Sequence, residues 1–307
     1  MAIFQVQKGN TLTTIEEKKI DLEKDIQKLT EDNLLTIFGL DFIKSEFSLQ
    51  NFRIDTLAFD QETQSFVIIE YKRDRSFSVV DQGYAYLSLM LNNKDSFILE
   101  YIRNTSKSLD KVKIDWSQSK VIFIANSFTS YQQNAINFKD LPIELWEAKK
   151  YNNNIILFNQ LKSSNSSESI KTISKNEVMS SVSKQVKKYT VEDLFKTNWK
   201  HSLDLYQLFI ERIRALIEID ISATKHYIKI FVNDRIRLVE IVPQKRGLKL
   251  SLPAKINTLK DPEKLLRDVS KMGRWTNGYT EYVLLEETDI DYAFFLTKQV
   301  YERFIKL

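Results

Sequence analysis

Three residues of this chain are of the right kind and spacing for phosphate chemistry. Asp55, Glu70 and Lys72 lie in the stretch FRIDTLAFDQETQSFVIIEYKRDRSFSVVDQGYAY, residues 52–86. Successive side chains of a strand point to opposite faces, so Glu70 and Lys72, two apart, share one. Carboxylate oxygens are the natural ligands of a hard divalent cation, and an ammonium beside them can hold a phosphate or an attacking water. Gln82 and Tyr86, four apart, would face the same spot from one side of a helix.

The surrounding pattern supplies elements to position these groups. Phe66 to Ile69 is apolar on both faces, as expected of a strand covered on both sides, and polarity begins only at Glu70. Phe52 to Phe59 reads as its partner strand, and Asp60 to Ser65 is a polar connection of hairpin length. A helix is expected over Val79 to Leu91. Glu-x-Lys also occurs at Glu16/Lys18, Glu17/Lys19 and Glu147/Lys149. Only Glu70/Lys72 combines an Asp on an adjacent apolar strand with a downstream Gln-x-x-x-Tyr.

Composition sets bounds. With 307 residues the chain is long enough for two domains, and 43% hydrophobic with 28% charged residues is the balance of a globular protein. The absence of cysteine excludes disulfides, zinc ribbons and thiol nucleophiles, and two histidines, His201 and His226, exclude a histidine-rich metal site. No apolar run reaches the length of a membrane span, and the start, MAIFQVQKGN, lacks the plan of a secretory signal; a cytoplasmic location is the expectation. Residues 1–160 carry 19 Lys+Arg against 22 Asp+Glu, and residues 161–307 carry 26 against 19. A basic second part could hold a polyanion near an acidic metal site in the first.

Along the chain, a short strand is expected at Ile3 to Val6, one helix over Asp21 to Phe38 stopped by Gly39, and a strand over Asp41 to Ser48. Helices near 95–104 and 129–138 and strands at Lys120 to Ala125, Ile143 to Trp146 and Ile155 to Phe158 complete an α/β domain over residues 1–161. Residues 162–190, rich in Ser, Asn and Lys, read as a solvated linker. An α+β accessory domain over 191–307 follows. Its helices are expected at Val191 to Phe195, Ser202 to Glu218, Asp261 to Lys271 and Asp291 to Ile305, with strands at 227–232, 236–242, 248–252 and 281–286.

The ordered set Glu23, Arg53-Ile54-Asp55, Ile69-Glu70-Tyr71-Lys72-Arg73 and Gln82-Gly83-Tyr84-Ala85-Tyr86 resembles the PD-(D/E)XK nuclease superfamily, in its RecB-like and NucS-like branches. The likeness covers roughly residues 20–125, with Ile54 where that family often has proline. It implies a restriction-endonuclease-like mixed sheet flanked by helices, followed here by the linker and the smaller α+β domain. It also implies that Asp55 and Glu70, with the backbone carbonyl of Tyr71, hold Mg²⁺ or Mn²⁺, and that Lys72 activates water. Gln82 and Tyr86 would support the site, and Glu23 would add to the metal shell, with Glu31 as a competitor for that place. Arg73 and Arg75, just past the strand, are candidate phosphate contacts.

The expected function is then a metal-dependent endonuclease acting on DNA, in defence or repair, with RNA still open as a substrate. A homodimer is one arrangement that would cut both strands of a duplex. The alternative is a non-catalytic nucleic-acid-binding or interaction protein on the same fold. The loop Met272 to Tyr279 could stack a base through Trp275, although core packing suits that residue better.

Overall fold

The computed structural model describes residues 2–18, 23–72, 78–105, 113–138, 140–162, 169, 177–233, 236–272 and 276–305. The chain divides into two compact units, Met1–Lys188 and Tyr189–Leu307.

The first unit begins with a hairpin of β1 (Ile3–Val6) and β2 (Leu12–Ile15), then β3 (Glu17–Lys18), α1 (Glu23–Glu31) and α2 (Leu34–Phe38). Next come β4 (Asp41–Leu49), β5 (Phe52–Asp60), β6 (Ser65–Lys72), α3 (Val79–Asn92), α4 (Lys94–Thr105) and β7 (Lys120–Ala125). α5 (Ser130–Ala135), β8 (Ile143–Tyr151), β9 (Ile156–Leu161) and α6 (Glu177–Ser183) finish it. The main sheet has seven strands in the order β3-β8-β7-β6-β5-β4, with β9 on β8. β4, β5 and β6 run antiparallel, whereas β6, β7 and β8 run parallel. This is the expected mixed sheet flanked by helices.

Both faces of β6 are covered, which explains its unbroken apolar run. Phe66 and Ile68 pack in a core with Val79, Leu87 and Met90 of α3 and with Phe97 and Tyr101 of α4. Val67, Ile69 and Tyr71 pack on the opposite face with Ile26 of α1 and Leu34 of α2. The residues that continue the first face are Glu70 and Lys72, so the charged pair emerges where the α3-side core ends.

Four local expectations differ from the structure. The single helix over 21–38 is two, because Asn33 leaves helical geometry and turns its side-chain amide back to the Leu29 carbonyl at 2.8 Å. Gly39 does close the second one, at φ 70°. Residues 162–190 are not all linker: α6 packs on α3, Val182 and Val186 join the first core, and the Ser183 and Tyr84 hydroxyls lie 3.1 Å apart. The first unit therefore runs on to Lys188.

The second unit is α+β. Its six strands are β10 (Asp220–Ala223), β11 (Ile228–Val232), β12 (Ile236–Gln244), β13 (Gly247–Leu252), β14 (Arg267–Asp268) and β15 (Thr280–Leu284), ordered β10-β11-β12-β13-β15-β14 and antiparallel throughout. α7 (Lys200–Arg214) and α8 (Ile290–Ile305) share its core through Leu205, Phe209, Ile213, Leu296 and Val300. No helix forms over 261–271, the third difference. The Asp261 carboxylate accepts the amides of Leu265 and Leu266 at 3.1 and 2.9 Å, and Lys264 adopts φ 56°. Asp-Pro, which reads as a helix start, is spent on a turn. Residues 191–195 form only the 3₁₀ turn Glu192–Leu194.

No helix among the described residues is long and apolar enough to cross a membrane. His201 bonds the Leu285 carbonyl at 2.8 Å, a structural role. Trp275 lies outside the described residues.

Candidate metal and phosphate site

The site forms where the β5–β6 ladder stops. Strand pairing runs from Asp60↔Ser65 to Thr56↔Ile69 and then ends. Just beyond, carboxylates take the amides that the ladder releases. The Asp55 N–H donates to Glu70 Oε1 at 3.1 Å, and the Tyr71 N–H donates to Asp55 Oδ2 at 3.0 Å. Each acid is thus anchored by backbone of the other strand, which satisfies two buried donors and fixes both carboxylates side by side. Lys72 Nζ donates to Glu70 Oε2 at 3.3 Å. Asp55 Oδ1 accepts no hydrogen bond among the described residues.

This crowding has an electrostatic cost. Glu70 is buried, its side chain 3% exposed, while Lys72 reaches the surface at 21%. Burial, followed by the charge of Asp55, pushes the Glu70 carboxyl up to about 7 despite Lys72 and the Tyr86 hydroxyl nearby. Burial also raises Asp55, against the pull of the Tyr71 amide and of Lys72.

α3 brings the next pair. Ser78 caps it, its hydroxyl accepting the Asp81 N–H at 3.3 Å. Gln82 Nε2 donates to the Tyr86 hydroxyl at 3.3 Å, and that hydroxyl donates to the Arg53 carbonyl at 3.4 Å beside the Glu70 carboxylate. Gly83 between them lets the helix approach the sheet: a Cβ there would come within 2.4 Å of Ile143 Cδ1. Asp55, Glu70, Lys72, Gln82 and Tyr86 are therefore brought together on one side of the sheet. The side chain of Tyr71 points the other way, into the core beneath α1, and only its backbone borders the site. Arg73 and Arg75 lie outside the described residues, as does the side chain of Glu23, which opens α1.

Gln27 carries no signal in the residue pattern beyond lying one turn after Glu23. It is buried, and its Nε2 donates to the Asp55 carbonyl at 3.0 Å, with Ser45 Oγ and Glu31 Oε1 at 3.2 and 3.1 Å. Glu31 Oε1 also accepts the Thr56 hydroxyl at 2.5 Å. Thr56 and Asp55 are adjacent on β5 and face oppositely, so Glu31 braces the strand from behind and stands apart from the carboxylate pair. Among the described residues no three His, Cys, Asp or Glu side chains gather into one metal-binding group. The site offers two acids and main-chain oxygen.

No family model matches the chain. Three solved structures share part of it: an EndoMS–dsDNA complex (14% identity, TM-score 0.25), a repair endonuclease from Pyrococcus abyssi (17%, 0.21) and Pyrococcus furiosus SfsA with Ca²⁺ (11%, 0.24). They cover 42%, 38% and 52% of this chain, and 57%, 42% and 75% of their own. Likeness at these scores carries no argument about activity. A protein of Haemophilus influenzae (strain ATCC 51907 / DSM 11121 / KW20 / Rd), described as uncharacterized, is 44% identical over 302 residues, which span 97% of this chain and 99% of that one. With both chains matched almost end to end, this protein belongs to the same family as the Haemophilus influenzae protein.

Proposed function

We propose that the chain is a metal-dependent nuclease of the PD-(D/E)XK type that hydrolyses DNA phosphodiester bonds, in defence or repair. The observation that carries this reading is the convergence of Asp55, Glu70 and Lys72 at the open end of the β5–β6 ladder, backed by Gln82 and Tyr86.

The residues fit magnesium or manganese. Every donor is a hard oxygen, Asp55 Oδ1 accepts no bond among the described residues, and a dication would offset the burial and the Asp55 charge that hold the Glu70 carboxyl near 7. Asp55, Glu70 and the Tyr71 carbonyl would hold the ion, which when bound offsets charge building on the phosphate oxygens and acidifies water. Lys72, held by Glu70, orients the attacking water and stabilises its ionised form. Gln82 and Tyr86 keep Glu70 in place from α3, and Gln27 keeps Asp55 in place from α1. Glu23 is assigned to the outer metal shell, and Arg73 and Arg75 to substrate phosphates. The site acts in the cytoplasm, and a homodimer would present one such site to each strand of a duplex.

The test is cleavage of single-stranded, duplex and flapped DNA, with RNA for comparison, in Mg²⁺ or Mn²⁺, using wild type beside Asp55→Ala. Cutting that vanishes in the variant is the expected result. One observation favours a second reading, a non-catalytic nucleic-acid-binding protein: Lys72 already pairs with Glu70, so the charge is partly met without a metal. Salt-sensitive DNA binding with no cutting by either protein would select it.

A further inference from the structure

Phe52 opens β5 at the rim of the carboxylate site and is 39% exposed. Its ring meets Tyr86 edge-on, with centroids 6.0 Å apart, on the α3 side of the sheet where Glu70 and Lys72 lie. The turn that carries it is tied to α3. Phe52 pairs with Leu49 across a two-residue turn, in which Gln50 takes φ 55°, and the Gln50 side-chain amide is tied to Asn93 at the end of α3 at 3.1 Å. Phe52 lies three positions before Asp55 on the strand, about 10 Å of chain, a distance that a few nucleotides span. The neighbouring Arg53 side chain is 66% exposed.

An exposed ring gains little from solvent, and this one is held in place by the turn and by Tyr86. A nucleobase offers the apolar face it lacks, but only when unpaired and unstacked, since in a duplex both faces of the base are already covered. On the nuclease reading above, we infer that Phe52 is a stacking platform for an unpaired base a few nucleotides from the scissile phosphate. The preferred substrate is therefore single-stranded or flapped DNA. Phe52 sets which strand enters and takes no part in bond breaking.

The experiment uses the full chain with Asp55→Ala to prevent cutting, and single-stranded oligonucleotides carrying the fluorescent base 2-aminopurine at successive positions. Stacking on Phe52 quenches the probe at one position, relieves that quench in Phe52→Ala, and preserves it in Phe52→Trp. Phe52→Ala also weakens single-strand affinity about tenfold and leaves duplex affinity unchanged. Uniform quench along the strand, equal quench in Phe52→Ala, or equal loss on single strands and duplex would overturn the inference. The two readings fail separately. Position-specific quench in a protein that never cuts would keep the stack and remove the nuclease, and cutting with no Phe52-dependent quench would do the reverse.

Discussion

Two glutamate–lysine pairs stand on one sheet and have opposite characters. On β6, Lys72 lies 3.3 Å from Glu70, whose carboxyl burial and Asp55 push up to about 7. On β7 and β8, Lys120 lies 2.7 Å from Glu144. Burial pushes Glu144 up as well, but the Lys120 charge and hydrogen bond and the Trp146 indole N–H at 3.0 Å outweigh it, and the carboxyl ends below the usual range. Burial lowers Lys120, while Glu144 and Asp60 raise it more. The residue types are the same, and the neighbours make the difference. A lysine and an indole serve Glu144, whereas Glu70 has a lysine on one side and the charge of Asp55 on the other. The first arrangement is a stabilising contact, and the second is a site with charge left over.

The sharpest way to break this contrast is to delete each lysine. Lys72→Met should lower cleavage by about 10²-fold or more, the scale of losing a charge-stabilising group, with little change in melting temperature. Lys120→Met should leave cleavage nearly intact and cost about 2 kcal/mol of stability, between the values for exposed and fully buried pairs. Equal loss of activity in both, measured beside denaturant unfolding, would erase the distinction.

The acid side of each pair gives a pH test in metal-free protein. Folded Glu70 holds a proton that the unfolded chain releases between 4.5 and about 7, so its contribution to stability falls as pH rises through that window. Glu70→Gln should therefore be more stable than wild type at pH 8, by on the order of 2–3 kcal/mol, and equal it near pH 4. Glu144 has the opposite sign. Its contribution is present above 4.5 and disappears as pH falls below that value, so Glu144→Gln should flatten the acid limb of the stability curve. Parallel pH profiles for the two variants would contradict the comparison.

The smallest effect probes the helix that serves only the first pair. In Gly83→Ala the new methyl must displace Ile143, the residue beside Glu144. Overpacking costs about 1–3 kcal/mol and helix propensity returns about 1, leaving a net loss near 1 kcal/mol. Because α3 would lift Gln82 and Tyr86 away from Glu70, cleavage should fall more than stability.

What the residue pattern could foretell follows from which forces act locally. β5, β6, β7 and α3 were legible to within a residue or two, because each buries a long face whose periodicity is written in consecutive side chains. The joining of Asp55, Glu70, Lys72, Gln82 and Tyr86 followed from those elements. The break at Asn33 and the turn at Asp261 were not legible, since in each a single side chain captures nearby backbone against the regional preference. Gln27 was hidden for a different reason. Its partner, the Asp55 carbonyl, lies 28 residues away, and no spacing rule relates the two. The packing of α6 was likewise hidden inside a polar segment, where among the described residues Val182, Ser183 and Val186 are buried and Met179 packs beside them.

The open end of the β5–β6 ladder bears on how this site can change over evolutionary time. Asp55 and Glu70 replace the missing cross-strand bonds of that ladder, so a drift to alanine would leave the Tyr71 and Asp55 amides without their acceptors and penalise folding even where chemistry had ceased to matter. Asparagine and glutamine keep an acceptor and discard the charge. Lineages that abandon the chemistry would thus pass first through these amides, and an amide pair at the two positions would mark a chain that kept the architecture and gave up the reaction.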